Sequence, residues 1–129
     1  MIHFRVASSA LGERETVYVH LYDDLDTMRQ ASTDFNGNDN SAAMAVTQAW
    51  ADQDDRVTYP LIRLVRGHVG TEVVAHEMHH AATALYGAHV GNRISRRAHL
   101  NHYNEPFAHL YSELLSRLVN RLYAEGCYA

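Results

Sequence analysis

A chain of 129 residues with 47% apolar content can bury one hydrophobic core and is too apolar for wholesale disorder. No stretch approaches the roughly 20 consecutive apolar residues of a membrane helix, and Met1-Ile2-His3-Phe4-Arg5-Val6 lacks the basic flank and apolar run of a secretory signal, so a cytoplasmic protein is expected. A net charge of −4, with every basic residue Arg, argues against a general nucleic-acid binder, and the single Cys127 excludes an internal disulfide or a Cys-rich zinc site.

No repeat, low-complexity tract or Pro/Gly-rich linker divides the chain, so residues 1–129 are read as one domain. Ile2–Ala7 and Thr16–Tyr22 alternate apolar and polar residues around Ser8–Gly12, the pattern of a hairpin or two neighbouring strands. Asp23 and Asp24 can cap a helix over about Leu25–Phe35, with Leu25, Met28, Ser32 and Phe35 on one face. Asn36–Asn40 closes it as a loop.

Met44–Trp50 alternates again, Asp52–Asp55 reads as a turn, and Val57–Arg66 is the most apolar strand segment. Pro60 lacks a backbone donor, so this last strand is expected at a sheet edge, or with Pro60 facing away from the ladder. Val74, Met78, Ala81, Ala82 and Leu85 recur at helical spacing and predict a helix over Thr71–Tyr86, capped by Thr71 and ended by Gly87. Residues 88–103 form a polar, basic connection. A final helix runs from near Asn104 to about Ala124, with Phe107, Leu110, Tyr111, Leu114, Leu118 and Leu122 on its buried stripe. The order predicts an α+β domain, a small twisted, mainly antiparallel sheet packed on the 71–86 helix and the C-terminal helix.

Ten histidines in so short a chain direct attention to metal or proton chemistry. His76-Glu77-Met78-His79-His80 matches H-E-x-x-H within the 71–86 helix. Positions i and i+4 share a helix face, so both imidazoles can reach one metal ion. Glu77 is rotated by roughly 100° and stands beside that ion, where it can take a proton from a water the metal activates. A chance match arises in about 4% of sequences of this composition, so context matters. Here the motif lies on a helix with an apolar opposite face. The alternative is a solvated, His-rich helix face.

Thr83 and Tyr86 stand where a metzincin would carry its Gly and third His, so that subclass is excluded. His89 is a further ligand candidate, beyond the expected helix end. Glu105 is better placed. It opens the final helix within Asn104-Glu105-Pro106-Phe107-Ala108, where Asn104 can cap and small Ala108 can let the two helices approach. Its alternative role is a first-turn carboxylate favoured by the helix dipole.

Glu72–Ala81 resembles the active-site helix of the gluzincin metallopeptidases, the thermolysin and aminopeptidase group. Asn104–Ala108 resembles their N-E-x-F-A segment, which supplies a glutamate ligand. The resemblance covers about residues 71–86 and 104–115. It implies a zincin-like minimal core, Zn²⁺ on His76, His80 and Glu105, Glu77 as general base, a substrate-aligning edge strand at Val57–Arg66, and hydrolysis of peptide bonds. Two features depart from the family: His109 replaces its acidic residue four positions after the glutamate ligand, and its large helical domain is reduced to one helix.

That reduction leaves the oxyanion donor to be sought among Tyr103, His99, His102, Arg97 and Tyr111, with Tyr103 nearest in sequence to Glu105. His109 and Glu113 follow Glu105 on one helical face and can orient a ligand or form an ordinary polar stripe. His79 turns away from the His76/His80 face. His3, His20 and His68 have no partner at ligand spacing and read as structural or solvated. The basic run Arg93, Arg96, Arg97 reads first as a solvated loop. The expected partner is a peptide or protein substrate, and the small size leaves room for a protein that completes the cleft. The competing function is a metal-stabilised binding or regulatory module that kept the core and lost turnover.

Overall fold

The computed structural model of the chain describes residues 1–49, 59–90 and 105–128. Strands β1 (Ile2–Ser8) and β2 (Glu15–Tyr22) pair antiparallel in the register Ile2↔Leu21 to Ser8↔Glu15, as the alternation predicts. Helix α1 (Leu25–Asn36) follows at once. The Asp24 side chain accepts from the Thr27 amide at 2.8 Å, satisfying one of the amides that a helix start leaves open. Gly37, at φ 75°, closes α1 in the left-handed region and donates its N–H to the Thr33 carbonyl.

Strand β3 is short, Val46–Gln48, and β4 spans Leu61–Val65. The sheet order is β1-β2-β4-β3, with β2 and β4 parallel and the other two pairings antiparallel. The sheet is therefore mixed, because β2 reaches β4 through a crossover carrying α1 and β3 and not through a hairpin.

This order corrects the expectation for Val57–Arg66. β4 is an interior strand, and the edges are β1 and β3, of which β3 borders the helix that carries His76 and His80. Pro60 is compatible with that position because it precedes the ladder and acts only as an acceptor. Its carbonyl receives the Tyr18 amide at 2.9 Å, so its missing N–H costs no sheet bond. The expected turn at Asp52–Asp55 lies outside the described residues.

Helix α2 spans Thr71–Val90 and α3 spans Glu105–Ala124. Thr71 already lies in the first turn of α2, whose first carbonyl acceptor is Gly70, bonded by the Val74 amide. Gly87 does not end α2. A glycine stops a helix by adopting positive φ, and Gly87 keeps the helical conformation. The burial of Leu85 and Tyr86 just before it outweighs the roughly 1 kcal/mol that a helical glycine costs.

One sheet face carries Phe4, Val6, Val17, Val19, Leu21, Ile62 and Leu64. It packs on Val74, Met78, Ala81, Ala82 and Leu85 of α2 and on Leu110, Leu114, Leu118 and Leu122 of α3. The other face is covered by α1 through Met28, which meets Tyr22 and Val65. The molecule is thus an α+β fold with helices on both sides of a four-stranded sheet. Phe35, expected on the inner face of α1, is 39% exposed, with the Arg63 guanidinium 5.6 Å over its ring. No described helix is long and apolar enough to cross a membrane.

Candidate metal centre

The core periodicity of α2 determines which residues are left to face outward. With Val74, Met78, Ala81 and Leu85 turned to the sheet, His76 and His80 fall together on the outer side, one turn apart. Their Nε2 atoms are 3.1 Å apart and their rings meet edge-on, with centroids 4.7 Å apart and planes at 82°. Two nitrogens each about 2.0–2.1 Å from one tetrahedral zinc ion lie roughly 3.3 Å apart, so this spacing suits a shared ion. Without metal, one imidazole can donate to the other across the same gap.

Glu77 sits on the boundary between this face and the core. Its side chain is 10% exposed, against 65% for His76, and its Oε2 lies 3.9 Å from His76 Nε2. The carboxylate is held from across the groove by β3: Thr47 Oγ1 is 2.8 Å from Glu77 Oε1 and 3.0 Å from the Glu77 carbonyl oxygen. Among the described residues no guanidinium pairs with this carboxylate. A buried anion beside two converging imidazoles is a donor set that fits a divalent cation.

Two depressions meet at this point. One, of about 360 Å³, runs between β3 and α2 past Val46, Thr47, His76, Glu77, His80 and Ala84. The other, of about 230 Å³, is lined by Met44, Ala45, Glu72, Val73, His76 and Glu77. The outer edge of β3 borders them and has no strand partner among the described residues.

Glu105 opens α3 and is exposed, and its Oε1 faces His109 Nε2 at 3.5 Å. It is not brought to the His76/His80 pair, and among the described residues no three His, Cys, Asp or Glu side chains converge on one metal position. Glu113 faces Arg117 at 2.9 Å, in an exposed pair one turn apart on the same helix. Ala108 is exposed and does not mediate the approach of the helices. An aromatic cluster does so: Phe107 and Tyr111 each meet His79 with ring centroids 5.7 Å apart, and Phe107 also meets Tyr86 at 5.4 Å. Tyr111 donates its hydroxyl to the Ala75 carbonyl at 3.2 Å, which ties α3 to α2. Tyr103, His99, His102 and Arg97, with Asn104 and the Arg93–Arg97 run, lie outside the described residues.

The pattern reading missed two features. Thr47 has no motif around it, and only its alternation within Met44–Trp50 placed it on a strand. His3 and His20, read as structural or solvated with no partner at ligand spacing, are directly opposite each other in the β1/β2 register and stack at 3.9 Å, a structural role whose partner the sequence reading left unnamed. Once the hairpin register is drawn, that pairing follows from it.

Compared with protein-family models, with curated proteins and with solved structures, the chain matches none of them. The arrangement around His76, Glu77, His80 and Thr47 is therefore what the functional reading stands on.

Proposed function

We propose that this chain is a minimal zinc-dependent peptidase with a zincin-like core. In this reading His76 and His80 hold the metal, Glu105 completes the protein ligands and Glu77 is the general base. The single observation that supports it most is the convergence of the two Nε2 atoms to 3.1 Å beside the Glu77 carboxylate. Coordination by Glu105 would exchange its exposed contact with His109 for a bond to the ion, a favourable exchange because surface pairs contribute little. Tyr103 is the proposed donor to the developing oxyanion, on its proximity in sequence to Glu105.

When bound here, zinc supplies a Lewis acid that acidifies water and polarises a carbonyl. Glu77 takes the proton of the attacking water and returns it to the leaving amine. The edge of β3 that no strand pairs among the described residues receives the extended substrate by main-chain hydrogen bonds, in place of the 57–66 segment. A purely structural metal site would enclose its ligands and need no base. The 65% exposure of His76, opening on the groove beside β3, favours turnover over a binding module.

The deciding experiment measures zinc content and peptide-library cleavage for the wild type and Glu77→Gln. The variant should keep its zinc and lose about 10²- to 10⁴-fold in kcat. Full activity in a zinc-loaded Glu77→Gln protein would sink the assignment.

A further inference from the structure

We propose that Thr47 is a positioning residue that gives the two carboxylate oxygens of Glu77 different tasks: Oε1 is the anchored oxygen and Oε2 is the one that accepts the proton. The catalytic part of this inference rests on the peptidase reading. The restraint on the Glu77 side chain does not.

Thr47 is the middle residue of β3 and pairs with Ile62 of β4, a fully buried core residue, so its height above α2 is tied to the core. Its hydroxyl lies 2.8 Å from Oε1 and 3.0 Å from the main-chain carbonyl of Glu77, and its single proton is shared between these two acceptors. That bridge fastens a side chain with three rotatable bonds to its own helical backbone, in a rotamer the edge strand selects. Oε2 is left facing His76 Nε2 at 3.9 Å, on the side of the His76/His80 pair.

A water O–H bond breaks as its oxygen bonds to the scissile carbonyl carbon. The released proton forms an O–H bond at Oε2 and then passes to the amide nitrogen as the C–N bond breaks, its electron pair staying on nitrogen and the carbonyl re-forming on the acid product, while Oε1 keeps the Thr47 bond throughout. Holding the base in one geometry lowers the reorganisation needed at each transfer.

Thr47→Val keeps the branched shape and strand preference and removes only the hydroxyl, and Thr47→Ser restores it. Relative to wild type, Thr47→Val should bind zinc equally and lose about 10- to 100-fold in kcat, with KM within about twofold, while Thr47→Ser recovers to within about threefold. A merely structural link between β3 and α2 would instead raise KM or lower stability, and serine would restore nothing specific to kcat. Three-bond scalar couplings of Glu77 in the metal-free protein give a readout that needs no activity. They should report one rotamer in wild type and Thr47→Ser and averaging in Thr47→Val. Unchanged kcat in Thr47→Val, or rotamer averaging already in wild type, overturns the proposal. The expected couplings in a wild type that cleaves no peptide would uphold the positioning and overturn the peptidase reading.

Discussion

Among the described residues two close histidine pairs stand out, and their environments are opposite. His76 and His80 lie four residues apart on one helix, meet edge-on and converge their Nε2 atoms to 3.1 Å beside a buried carboxylate. His3 and His20 lie on neighbouring strands and stack nearly parallel, at 12°, with the buried Nδ1 of His20 lacking a hydrogen-bond partner. Burial, with His3 and the Arg63 guanidinium nearby, pushes His20 down to about 4. Helical geometry points two lone pairs at one spot, whereas cross-strand stacking puts ring face on ring face and leaves the nitrogens at the rims. Ring proximity alone does not make a metal site. Nitrogen direction and the neighbouring carboxyl group are what make the His76/His80 pair the candidate.

The sharpest way to break this contrast is to remove one histidine from each pair. His76→Ala should abolish stoichiometric zinc binding, a loss larger than the roughly 10- to 100-fold that an outer partner costs, while His3→Ala leaves zinc titration unchanged. Equal effects from the two substitutions would dissolve the distinction. A smaller change is expected at Glu105, the proposed third ligand. Glu105→Gln keeps an oxygen but loses the charge, so zinc affinity should fall about 100-fold by competition with a chromogenic chelator. Unchanged affinity would remove Glu105 from the ligand set.

The smallest effect concerns the stacked pair. His20 binds its proton less readily in the folded chain, at about 4, than in the unfolded chain, at its ordinary 6.5. Between those values the unfolded state takes up a proton that the folded state excludes. Stability is therefore complete above the unfolded value and falls as pH is lowered through 6.5 toward 4. After discounting for its partial exposure, the loss between pH 7 and 5 is on the order of 1 kcal/mol. His20→Phe keeps the ring and removes the proton site, so its urea-unfolding free energy should lose less over that interval than the wild type does. Parallel pH profiles for the two proteins would refute the assignment.

Most of the secondary structure was legible because it is local. The Asp24 cap, the β1/β2 alternation, the apolar stripes of α2 and α3 and the H-E-x-x-H face each depend on spacings of a few residues. The misreadings arose where a local signal met a tertiary constraint. Pro60 pointed to an edge strand, yet one step before the ladder its missing donor is irrelevant and β4 runs inside the sheet. Gly87 pointed to a helix end, yet neighbouring buried side chains hold it in helical conformation. Glu105 is a different case: its reading as a ligand comes from resemblance, and the neighbour its carboxylate faces among the described residues is His109.

The His76-Glu77-His80 arrangement was thus determined by the sequence itself, since 3.6 residues per turn and an apolar opposite face leave it no other orientation. Which strand borders it was decided by the tertiary structure alone. Thr47 reaches Glu77 across 30 positions of chain, through a parallel β2/β4 pairing that no local pattern encodes. Edge identity depends on how the whole sheet orders itself to bury its two faces, and the partner of the candidate base depends on that order.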